Sequence, residues 1–110
     1  MTRAAEPPYL YLTTTWRRSG QPREIEIWFT QSDGRYYVIA ETGASAQWVQ
    51  NLRADPRVRW RVAGSAFSGQ GRVVDIVAEP ALNEAVQALS REKYGWGEGL
   101  VVELIPDIDA

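Results

Sequence analysis

Arg17, Arg18 and Ser19, followed at once by Gly20 and three residues later by Arg23, place the strongest oxyanion-binding chemistry of the chain within one stretch, TTTWRRSGQPREIEIWF from Thr13 to Phe29. Adjacent guanidinium groups offer forked donors that match phosphate or carboxylate oxygens in pairs, and Gly20 lets the backbone turn tightly behind them. A plainer reading has a hairpin tip that is basic because tips are polar, with Arg23 paired to a glutamate across the ladder. The residue types leave both readings open. A second group lies near Gly43 to Asn51, where Trp48 and Asn51 on a short helix can form the opposite wall of a site, although a Trp spaced from Leu52 in this way also suits a core. Tyr94 and Trp96 sit in a glycine-bounded loop, as amphipathic rings that suit a substrate pocket or a lid over one end of the fold. Trp28, on the outward face of its strand, joins them as a candidate substrate contact.

Composition narrows the chemistry these groups can perform. The chain has 110 residues with no cysteine and no histidine, which removes disulfides, thiol catalysis, thiolate metal sites, the commonest general base and the commonest metal ligand. Chemistry is left to carboxylates, tyrosine, arginine or a bound cofactor that brings its own reactive atoms. Glu24 and Glu26 show no sign of a shared apolar pocket, so a hydrolase has little support. A net charge of −2 argues against a dedicated nucleic-acid binder. Nine arginines stand against six acids up to Arg61, and three basic residues against eight acids after it, so an anion-binding surface belongs to the first half. With 45% hydrophobic residues and no apolar run near the ~20 that span a bilayer, a soluble protein of one domain is expected. MTRAAEPPY has no apolar core of a signal peptide, and the expected compartment is the cytoplasm.

Mostly antiparallel strands must hold these groups in place. Tyr9 to Thr15 is aromatic and β-branched; Arg23 to Thr30 alternates, with Ile25, Ile27 and Phe29 on one face; Arg35 to Glu41 follows an Asp-Gly turn. Ser45 is placed to cap the short helix, which Asp55-Pro56 stops. Arg57 to Val62 sets three arginines opposite Val58, Trp60 and Val62. The arginines read better as a solvated or dimer-facing row, paired with acids such as Glu24, than as a nucleic-acid track. Ala66 to Val77 forms a long strand in which Gly69 and Gly71 mark a bulge or bend. Pro80 opens the best helix, Gly95 ends it, and LVVELI is the final strand. The order is β-β-β-α-β-β-α-β: a mainly β fold, a six-stranded antiparallel barrel with two short helices.

LTTTWRRSGQPREIEIWF, the YYVIA strand and WVQNLRADPRVRWRVAG together resemble the deazaflavin-dependent nitroreductase and quinone reductase family, one of the flavin-binding split β-barrels related to pyridoxamine-phosphate oxidase. The resemblance covers roughly Tyr11 to Val74 and, more weakly, the terminal VVELIP. It implies a small homodimeric oxidoreductase in which coenzyme F420, a deazaflavin, or secondly FMN, passes hydride to a quinone or nitroaromatic acceptor, so that no protein nucleophile is needed. By their place in the motif, Arg17, Arg18, Ser19 and Gly20 meet the cofactor's phosphate or tail, with Arg23 nearby. The loop of Thr42, Gly43, Ala44 and Ser45 faces the cofactor, and Trp48 and Asn51 position that loop. The alternative is a cofactor-free split barrel that binds a ligand or partner without turnover.

Overall fold

The computed structural model describes residues 7–107. Its seven strands are β1 (Leu10–Thr15), β2 (Pro22–Ile27), β3 (Phe29–Ser32), β4 (Arg35–Ala40), β5 (Arg57–Val62), β6 (Ser65–Val73) and β7 (Leu100–Pro106). Two helices, α1 (Gln47–Ala54) and α2 (Pro80–Tyr94), follow β4 and β6. All the strands join one antiparallel sheet in the order β2-β1-β5-β6-β7-β4-β3.

The expected second strand is in fact two, which makes seven strands rather than six. β2 pairs with β1 at one edge of the sheet, whereas β3 pairs with β4 at the other. Only Trp28 lies between them, so the chain itself carries the sheet from one edge back to the opposite edge. Inward and outward residues keep alternating across this step, and for that reason the sequence reads as one strand.

Two cores result. Inside the curled sheet, Leu10, Leu12, Phe29, Tyr36, Val38, Trp60, Val102 and Leu104 pack together, with Leu52 of α1 among them. Outside it, Val86 of α2 covers Tyr37, Ile39, Val74 and Val101. Pro80 stands at the start of α2, and Gly95, at φ 77°, ends it with a left-handed cap whose N–H donates to the Arg91 carbonyl.

Two boundaries differ from expectation. β6 stops at Val73 because the Asp75 carboxylate accepts from the backbone N–H groups of Val77 and Ala78, turning the chain so that Ile76 and Val77 are exposed. Ser45 does not cap α1; its hydroxyl donates to the Thr42 carbonyl inside a 3-10 turn, Gly43–Ser45.

Under α2 a buried carboxylate ties three strands together. Arg72, Glu103 and Tyr37 lie in register across β6, β7 and β4. Glu103, 1% exposed, accepts from Arg72 Nε at 2.7 Å, Tyr37 Oη at 2.8 Å and Arg35 at 3.2 Å. Burial, then the hydrogen bond to Glu103, push the Tyr37 hydroxyl up to about 12 from 10.0. A raised folded-state value stabilises the protein below the unfolded value, and that stability is lost as pH rises from 10 toward about 12. Tyr37→Phe therefore flattens the alkaline fall in urea-unfolding free energy over that window.

Candidate functional site

The same step at Trp28 opens the site. β3 pairs with β4 only as far as Val38, so beyond it, among the described residues, Ile39 and Ala40 pair with β7 alone. Among the described residues β2 pairs with β1 alone. These unpaired edges diverge from Trp28 and form the walls of an open cleft of ≈ 700 Å³. Ile25, Glu26, Ile27 and Trp28 line one wall; Ile39, Ala40, Glu41 and Thr42 line the other; Tyr9, Trp48 and Trp96 complete it. Its size falls within the roughly 300–1,000 Å³ of small-molecule sites.

Of the expected substrate contacts, Trp28 and Trp96 line the cleft and Tyr94 supports it from behind. The Tyr94 ring stacks on Trp28 with centroids 4.4 Å apart and planes 1° from parallel, while Trp96 meets Trp28 edge-on at 6.1 Å. The Tyr94 hydroxyl accepts from the Phe29 N–H at 3.0 Å, and Lys93 donates to the Phe29 carbonyl at 2.9 Å. α2 thus pins the backbone where the chain changes edges. Trp28 remains 46% exposed, so one face of its ring is held by Tyr94 and the rest is open to the cleft.

The arginine turn docks on α1. Arg17 donates from its guanidinium to Asn51 Oδ1 at 2.8 Å and to Gln47 Oε1 at 2.8 Å, and its backbone N–H reaches the same Asn51 oxygen at 3.3 Å. Asn51 is buried, and Trp48 beside it faces the cleft. The two groups expected to oppose each other are therefore in direct contact, and Arg17 acts as a clamp rather than as a free anion ligand. Gly20 turns the chain at φ 75° and donates to the Trp16 carbonyl; the Ser19 hydroxyl accepts from the Gln21 N–H at 3.2 Å. Arg18 is exposed, and Arg23 lies over the Trp16 ring at 4.8 Å. Neither forms an ion pair among the described residues, in contrast to Arg57 with Asp107 and Arg61 with Glu24. Of the loop residues, Thr42 lines the cleft, while Gly43, Ala44 and Ser45 form the 3-10 turn beside it.

Sequence reasoning missed Tyr9, Ile25, Ile27, Ile39, Ala40 and Glu41 as cleft residues. Their only signal is the mismatch between the four residues of β3 and the six of β4, which leaves part of β4 unpaired.

Among known proteins, the family model described as F420H(2)-dependent quinone reductase matches residues 2–95. An F420H(2)-dependent quinone reductase of Mycobacterium tuberculosis is 33% identical over 64 residues, which are 56% of this chain and 43% of that protein. The chain thus spans less than half the length of the curated relatives it matches. Among solved structures, an F420-H2 dependent reductase superposes with a TM-score of 0.75 at 19% identity, over 94% of this chain and 99% of that one. A chain described as a domain-swapped dimer gives 0.73 at 19% identity, over 94% and 84%. These two likenesses establish the split-barrel fold, and the family match goes further. The chain belongs to the F420H(2)-dependent quinone reductase family.

Proposed function

We propose that this protein is an oxidoreductase that binds coenzyme F420, with FMN as the second choice, and reduces an organic acceptor such as a quinone or nitroaromatic. One observation carries the reading: an aromatic cleft suited to flat rings lies beside a turn whose Arg18 and Arg23 have no acidic partner among the described residues. That arrangement fits a cofactor with a planar ring and an anionic tail. Trp48 would meet the ring at one end of the cleft, and Trp28 and Trp96 would hold the acceptor against it; Arg18, Arg23 and Ser19 would meet the tail; and Thr42 would offer its hydroxyl at the rim. When bound, the deazaflavin supplies hydride chemistry, consistent with a chain that has neither histidine nor cysteine. The clamp from Arg17 to Asn51 and Gln47 fixes the turn against α1, so the cations are positioned before any ligand arrives.

Steady oxidation of F420H2 in the presence of menadione tests the reading. Replacing both Arg18 and Arg23 with alanine should raise the cofactor KM about tenfold or more, as loss of charge-assisted contacts predicts. Absence of turnover with both F420H2 and reduced FMN would refute it and favour the cofactor-free alternative, which draws on the internal engagement of Arg17. A homodimer is part of the proposal, supported by the dimeric structural relative and testable by light scattering. Among the described residues no helix is long and apolar enough to cross a membrane. A cytoplasmic location is also proposed, on the cysteine-free composition.

A further inference from the structure

We propose that the cleft selects acceptors by charge, taking flat heteroaromatic cations before neutral rings and neutral rings before anions. The inference rests on the reading of the cleft as the acceptor site and deepens it. Among the described residues, four aromatic side chains, Tyr9, Trp28, Trp48 and Trp96, line the cleft, and the charged lining residues are two acids, Glu26 and Glu41. These acids come from the two opposing walls, one from β2 and one from the end of β4. No arginine or lysine among the described residues lines it.

Aromatic faces attract cations through the ring quadrupole, and the preference grows where carboxylates add their field at the mouth of a low-dielectric cleft. The fixed stack of Trp28 on Tyr94 presents such a face without further ordering. Glu26 stands in register with Tyr11 of β1, whose hydroxyl pKa is raised by burial and then by this carboxylate. Arg18 and Arg23 stand at the arginine turn, outside the cleft lining, and Lys93 lies behind the stack, 5.0 Å from the centre of the Tyr94 ring. The molecule therefore divides its ligand surface into a cationic end for an anionic tail and an anionic, aromatic cleft for the acceptor.

Three probes with one ring system isolate the effect: N-methylphenazinium, phenazine and phenazine-1-carboxylate, which are cationic, neutral and anionic at pH 7.5. Each is titrated into the protein without cofactor at low salt, following quenching of tryptophan fluorescence, to which three cleft residues contribute. Kd should rise in that order, with the cation binding about tenfold more tightly than the anion. Glu26→Gln combined with Glu41→Gln should bring the three within about twofold, at an unchanged melting temperature because both side chains are exposed. Equal affinities, tighter binding of the anion, or a spread that survives the double substitution would overturn charge selection while leaving the cleft as an acceptor site. Failure of all three probes to bind would overturn both.

Discussion

Replacing Glu103 with alanine lowers the unfolding free energy by about 3 kcal/mol in urea titrations at pH 7. Glu103 is buried, yet it holds one end of each of three hydrogen bonds that cross from β7 to β6 and β4. Without it the Tyr37 hydroxyl loses its acceptor inside the core, and Arg35 and Arg72 lose a carboxylate. The cost stays at the lower end for a buried ion pair because Arg72 keeps its two bonds to Glu79, at 2.6 and 2.9 Å, and both arginine side chains reach solvent. Burial alone would push the Glu103 carboxyl up; the hydrogen bonds from Tyr37, Arg72 and Arg35 outweigh it and hold its pKa below the ordinary glutamate value. A depressed folded-state pKa contributes stability above the unfolded value, and that contribution disappears as pH falls through the folded value. Glu103→Gln should accordingly show a shallower acid-side loss of stability than the parent. An alanine variant within about 0.5 kcal/mol of the parent would show that the network does not bind the strands together.

Gly69→Ala should be of similar size, roughly 3 kcal/mol, for a different reason. A Cβ at this position would lie 2.8 Å from the Ile105 carbonyl carbon and closer still to its oxygen. Both belong to the backbone of β7, so neither can swing aside, and the β6–β7 ladder must separate around Gly69 and Pro106. Gly71→Ala provides the internal comparison. Its Cβ would press on the Leu52 side chain, which can change rotamer, so that variant should lose less, about 1–2 kcal/mol. If the two variants melt together, backbone approach is not what Gly69 provides.

Alternation made most of the sheet legible. Arg57, Arg59 and Arg61 against Val58, Trp60 and Val62 is a strand with one wet and one buried face, and the structure places it so. The long helix was legible from Pro80 and Gly95, because those residues act locally. What escaped was set by pairing partners. Ile25, Ile27 and Phe29 keep one phase whether the chain stays on one strand or changes edges at Trp28, and that step creates both the seventh strand and the cleft. Within the site, the arginine turn and the Trp48–Asn51 helix were recognisable by residue type. Their direct contact through Arg17 was not, since a guanidinium 34 residues from its acceptor leaves no local pattern. Trp28, Tyr94 and Trp96 were named singly as candidate substrate contacts; the stack that orders them depends on α2 reaching Phe29.

Direct titration of the protein with oxidised F420, followed by tryptophan fluorescence and repeated with Trp28→Leu and with Arg18→Ala plus Arg23→Ala, tests the central claim most closely. Saturable quenching at micromolar cofactor is predicted, weakened about tenfold or more by the arginine pair and reduced in amplitude by loss of Trp28. Absence of saturable binding, or an affinity that neither variant alters, would contradict a cofactor seated between the arginine turn and the aromatic cleft.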